Sequence, residues 1–265
     1  MKRRTTAGYA AGYTILEVMI VLAVTGALFI STVLMLGGKQ AQNEVTQAMR
    51  NYETQLQNVA SEVANGYYPN GFSCVPLGTS VSVTANPAPV GGNLGCVFLG
   101  KIINVHETYA EIVTMVGRQY DVTTKADVIT LGQAAPKVVA NGFVNKTVGY
   151  VNQYDLKVSH IVSLQDSTIA YQSIAFVIEL GGGFTSANGT NGSRSILLYG
   201  IKGNAATNTS TDTALNLGNL LPIPEGVRMC MIGGNGKKTE LILGEAGSQT
   251  GTSVLIDNGV SDVCA

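Results

Sequence analysis

The sequence predicts an α+β fold, with a long N-terminal α-helix packed on a C-terminal antiparallel β domain. Three observations predict it. Residues 13–36 carry 18 apolar side chains in 24 positions. Residues 37–65 turn polar but keep an apolar residue every three or four positions. Beyond Asn65 lie 27 of the 32 glycines, spread among short apolar runs. The chain therefore divides into a basic leader (1–12), a helix (13–65) and a Gly-rich β domain (66–265). The helix itself divides into an apolar half, 13–36, and an amphipathic half, 37–65.

The apolar half is long enough for a membrane. At ~1.5 Å per residue, 24 helical residues span ~36 Å, against a hydrocarbon core of ~30 Å. Lys2, Arg3 and Arg4 precede it, and only Lys39 closely follows. The positive flank stays on the cytoplasmic side, so the bulk of the chain is expected outside, as a single-pass protein. A secretory signal peptide fits poorly. The apolar run is too long, and "GGKQAQNEV" offers no small-x-small cleavage site. Glu17 is the anomaly. An acid well inside a bilayer costs on the order of 3 kcal/mol on insertion scales and usually has a partner. Near the cytoplasmic end it can also snorkel at smaller cost.

Gly12 stands directly before Tyr13-Thr14-Ile15-Leu16-Glu17 and the apolar run, behind the short basic leader "MKRRTTAGYAAG". This arrangement resembles the class III signal of type IV prepilins and type II secretion pseudopilins, over residues 1 to about 65. The resemblance implies cleavage between Gly12 and Tyr13 by a prepilin peptidase, with N-methylation at Tyr13. It implies that the apolar helix is retained and drives assembly with other pilin subunits at an inner-membrane platform. The protein would end on the cell surface or in an extracellular pilus. The new amine at Tyr13 then needs an opposite charge, and Glu17 supplies it, within its own subunit or from a neighbour's. Two positions depart from the family's pattern. Tyr13 replaces the usual Phe or Met, and Leu34 stands where a proline is common. Any break in the helix then falls at Gly26 or at Gly37-Gly38.

In the amphipathic half Val45, Met49, Tyr52, Leu56, Val59 and Val63 recur at spacings of 4 and 3, an apolar seam. It is expected to pack on the chain's own β domain rather than form a coiled coil, since it runs for only about three heptads. Asn65-Gly66 is a stop signal. Strands are expected at 81–85, 96–105, 110–117, 173–180, 195–202, 227–232, 239–244 and 253–257. Residues 181–194 and 203–219 read as loops, and residues 120–172 give no clear pattern. The total suggests two antiparallel sheets.

Charge and chemistry narrow the function. Lys plus Arg is 16 and Asp plus Glu 17, with no basic patch, so no nucleic-acid partner is expected. Cys74, Cys96, Cys230 and Cys264 include no Cys-x-x-Cys pair, and only His106 and His160 could join them, so no metal site is expected. An even count in an exported chain suggests two disulfides. Four cysteines allow three connectivities and the sequence does not choose. Cys74–Cys96 and Cys230–Cys264 are the expected pairs, with free buried thiols as the alternative. Two histidines leave little material for a Ser-His-Asp or Cys-His site, and no enzymatic activity or cofactor is expected. "GGNGKKT" at 233–239 lacks the Ser/Thr of a phosphate-binding loop after Lys237 and reads as a hairpin turn. The Asn-x-Ser/Thr triplets at Asn145, Asn188, Asn191 and Asn208 fit chance in a Thr-rich chain. Asp257 and Asp262 near Asn258-Gly259 read as a surface turn before a calcium loop. The expected role is a filament subunit, a major or minor pilin. One alternative is a type II secretion pseudopilin. Another is a membrane-anchored extracellular β domain that binds a ligand.

Overall fold

A computed structural model describes residues 14–66, 72–84, 95–121, 123–139, 150–152, 154–180, 195–205, 217–234, 236–244, 252–256 and 264. The fold is α+β. One helix, α1, runs Ile15–Ala64. It passes through Gly26 and Gly37-Gly38 without interruption. A helical glycine costs only about 1 kcal/mol relative to alanine, too little to break so long a helix. Its end matches the stop signal: Gly66 takes φ 65° and its N–H donates to Val63 O at 3.0 Å.

Among the described residues thirteen strands follow: β1 (Ser73–Leu77), β2 (Ser80–Thr84), β3 (Cys96–Val105), β4 (Tyr109–Arg118), β5 (Lys137–Val139), β6 (Tyr150–Val151) and β7 (Lys157–Ser163). Then come β8 (Ala170–Ile178), β9 (Ile196–Lys202), β10 (Leu220–Pro222), β11 (Val227–Ile232), β12 (Lys238–Leu243) and β13 (Thr252–Ile256). All pairings are antiparallel. β1 and β2 form a hairpin of their own. The other eleven form one sheet along β13-β12-β11-β7-β8-β3-β4-β5. That sheet forks at β8. One edge of β8 meets β7 at Ala170 and Tyr171, then β3 from Ser173 to Val177, while the other edge meets β9.

The two antiparallel sheets expected are present but very unequal, one large and forked, the other a small hairpin. The physical reason lies in what covers the large sheet. The second half of α1 takes one face. Val45, Met49, Tyr52, Leu56, Val59 and Val63, joined by Ala48 and Ala60, are all buried. They share a core with Ile103, Ile174, Phe176, Met229 and Leu241. The opposite face, with Ile102, Val113, Met115, Ala175 and Val177, is covered by Val128 and Ala134 and, in part, by Leu217 and Leu220. The β1–β2 hairpin covers a further patch, where Phe72, Cys74 and Val81 pack with Val116 and Val139. The chain splits into compact units Met1–Glu44 and Val45–Ala265. The boundary falls inside α1 because the seam residues belong to the β core.

Polar contacts fix the seam's rotation. Lys101 on β3 pairs with Glu62. Thr252 donates to Glu53 Oε1 at 2.8 Å and accepts from Gln57 at 2.7 Å. β3 carries a bulge between Phe98 and Gly100. Gly100 sits there at φ 151°, and a Cβ on it would lie 2.0 Å from Phe176 O, so only glycine lets β8 approach. Residues 233–237 turn β11 into β12, with Gly233 N–H donating to Lys237 O at 2.8 Å. That is the hairpin expected from the sequence.

Candidate functional site

The candidate site is the N-terminal part of α1, described by itself. Ile15–Val33 is long and apolar enough to cross a membrane. Every described residue from Thr14 to Val33 is exposed, including Ile15 at 81%, Leu22 at 65% and Phe29 at 69%. So large an apolar surface is far beyond what a water-soluble surface carries. Its few hydroxyls are satisfied within the helix. Thr25 Oγ1 donates to Val21 O at 2.7 Å, Ser31 Oγ to Leu28 O at 2.9 Å and Thr32 Oγ1 to Leu28 O at 3.0 Å. That self-bonding lets polar residues sit in an apolar medium without stranded donors.

Glu17 lies in the first turn. Its backbone N–H donates to Thr14 O at 3.1 Å and reaches Thr14 Oγ1 at 3.3 Å. Thr14 is thus the N-cap and Glu17 its third helical residue, the spacing of a capping box. An acid at this place also complements the positive end of the helix dipole. This second role for Glu17 has its own local sequence signature, Thr14-x-x-Glu17. Gly12 and Tyr13, the expected cleavage and methylation positions, lie outside the described residues. So do Asn145, Asn188, Asn191, Asn208, Asp257 and Asp262.

All four cysteines are in disulfides. Cys74 is bonded to Cys96, tying β1 to the start of β3 with Cα atoms 6.1 Å apart. Cys230 is bonded to Cys264, tying the middle of β11 to the C-terminal end with Cα atoms 5.3 Å apart. In the chain-entropy model, loops of 22 and 34 residues stabilise by roughly 3–4 kcal/mol each. His160 on β7 is the register partner of Cys230, and its ring comes close to both sulfurs.

The other histidine joins a buried polar cluster. Ser173 Oγ donates to Asn104 Oδ1 at 2.9 Å. Asn104 Nδ2 donates to Glu111 Oε2 at 3.3 Å and lies 3.2 Å from His106 Nε2. The His106 ring stacks on Tyr109 with centroids 4.1 Å apart. The Ser173 hydroxyl is thus spent on an amide, and the arrangement reads as a satisfied core network. A surface cavity of about 590 Å³ lies between β2, residues 130–137 and β9–β10, with Leu131, Pro136, Tyr199 and Leu220 in its walls. Burial, aided by Glu179, pushes the Tyr199 phenol above its ordinary 10.0.

The chain matches no protein-family model, no curated protein and no solved structure. The feature left to explain is the apolar segment Ile15–Val33, exposed along its whole length. A β-domain core alone would leave the exposed side chains of Ile15–Val33 without a reason.

Proposed function

We propose that the chain is a structural subunit of a type IV pilus or pilus-like filament. In this reading a prepilin peptidase cuts between Gly12 and Tyr13 and methylates the new amine. The subunit waits in the inner membrane with its β domain outside, then an assembly platform stacks it with other pilin subunits through the apolar helix. The observation that carries the reading is an acid, Glu17, in the first turn of an apolar helical segment, Ile15–Val33, that is exposed throughout. Cleavage would put a positive amine four residues before that acid. In low dielectric an unmatched charge is costly, so pairing amine with carboxylate selects one axial register among slips that all bury apolar surface.

Helix capping also accounts for an acid at this position, and two variants separate the roles. Glu17→Gln keeps a capping-box residue and loses the charge. Glu17→Val loses both. The assay compares subunit in sheared surface filaments with subunit in the membrane pool. Charge pairing predicts normal insertion and cleavage for both variants, with filament yield reduced at least tenfold in both. Normal yield with Glu17→Gln would reduce the acid to a helix cap and sink the register argument.

A further inference from the structure

We propose that reduction of the Cys230–Cys264 disulfide uncovers a site for a borderline-soft divalent cation such as Zn²⁺, held by Cys230, Cys264 and His160. The proposal is independent of the filament reading. Ligand atoms of these three residues lie within 4.8 Å of one another. Zinc holds sulfur at ~2.3 Å and imidazole nitrogen at ~2.0 Å, so tetrahedral ligands stand about 3.5–3.8 Å apart. The ring nitrogen, within 4.8 Å of both sulfurs, needs to close by no more than about 1.3 Å to reach that range. The two sulfurs, joined at ~2.05 Å in a disulfide, need to part by less than about 2 Å.

The fold allows that movement at one ligand and forbids it at the others. Cys230 and His160 face each other across β11 and β7, inside the sheet. Cys264 lies beyond β13 and outside the described strands, so no strand register fixes it as β11 and β7 fix the other two. Two ligands are thus preorganised and the third can adjust. Cys230 and Cys264 are buried, while His160 is half-buried.

Charge favours the ion. Two thiolates carry −2, so a divalent cation gives a neutral centre that can stay buried, whereas two bare thiolates could not. Glu240, the register partner of Cys230 on β12, is buried with its charge taken by Arg228. It does not add to the negative charge at the site. Three protein ligands leave a fourth position for water.

The chemistry has two balanced steps. A dithiol reductant gives two electrons and two protons to the S–S bond, leaving two protein thiols and its own cyclic disulfide. The cation then displaces both thiol protons and binds two thiolates and neutral His160. In the oxidised chain the sulfurs are spent and the site does not exist.

Cobalt(II) is the probe, because thiolate-to-metal charge transfer reports sulfur ligation directly. The full chain in detergent is reduced with a phosphine, which takes oxygen from water to become its oxide and leaves no competing thiol. One Co²⁺ per chain is expected, with a charge-transfer band, release of two protons and displacement by Zn²⁺. His160→Ala keeps the disulfide and folds as the parent does before reduction. It should weaken binding at least tenfold. Cys230→Ser should abolish the band. No band in the reduced chain overturns the proposal, and so does a band that survives Cys230→Ser, which would place the metal at Cys74 and Cys96. Unchanged affinity in His160→Ala, equal binding by the oxidised chain, or loss of β circular dichroism on reduction overturns it as well.

Discussion

Leu56→Ala tests whether the amphipathic half of α1 is part of the β core. Leu56 is 3% exposed and packs with Tyr52, Val59 and Ile103. It lines a shallow apolar crevice with Tyr52, Val59, Ile103, Ala110 and Ile112. Its neighbours belong to the helix and to paired strands, so they can close only part of the space that the side chain would leave. The cost of Leu→Ala, which spans about 2–5 kcal/mol with the degree of collapse, should therefore fall near 3–4 kcal/mol. For a domain of roughly 200 residues each kcal/mol moves Tm by about 2–4 °C, so the expected drop is roughly 6–16 °C. The assay is thermal unfolding of the full chain in detergent, followed by the β-sheet signal. Thr54→Ala, on the exposed face of the same helix, is the control and should stay within about 0.5 kcal/mol. A loss below about 1 kcal/mol for Leu56→Ala would refute the packing. A Tm that rises with protein concentration would point instead to a seam shared between copies.

Two further outcomes follow from charge. Arg228→Ala removes the guanidinium that pairs with the fully buried Glu240 and should destabilise by about 3 kcal/mol, because the carboxylate cannot reach water. Arg228→Met combined with Glu240→Leu should recover to within about 1 kcal/mol of the parent in denaturant melts. Asp121 and Asp166 both titrate below the ordinary 3.8. The Thr124 and Thr123 amides hold Asp121 down, and the Thr168 hydroxyl and amide hold Asp166 down. A depressed carboxyl stabilises the fold above its unfolded value and loses that effect as pH falls through its folded value. The stability gap between parent and Asp121→Asn should thus be constant near neutrality and close only below about pH 4. A gap that closes above pH 5 contradicts the assignment.

The helix was the most legible element because its signal is local. Six seam positions at spacings of 4 and 3 sufficed, and all six are buried. The eight expected strands were apolar runs bounded by turns, and each corresponds to an observed strand within a few residues. The elements left out carry weak local signals. β1 is interrupted by Pro76. β7 holds Ser159 and His160 in mid-strand and owes its place to pairing with β11 and β8. β5, β6 and β10 are three residues or fewer. The forked sheet was out of reach because it depends on which face each cover occupies, and the cover at 123–136 shows no periodicity. The meeting of His160 with Cys230 is likewise a matter of register between strands 70 positions apart. Thr14-x-x-Glu17 is a local capping signal too, but it lies at the head of an apolar run of membrane length, where an acid first raises the question of its charge.

The central claim, that Ile15–Val33 is a retained assembly helix, is tested most directly by the mass of the mature N-terminal peptide. The subunit is taken from membranes of cells that express a prepilin peptidase. The account predicts a chain that begins at Tyr13 with one methyl group on its amine, with the apolar helix intact. A chain that begins near residue 40 would make that helix a discarded signal peptide. A chain that still begins at Met1 beside an active peptidase would make it a plain anchor. Either result contradicts the account.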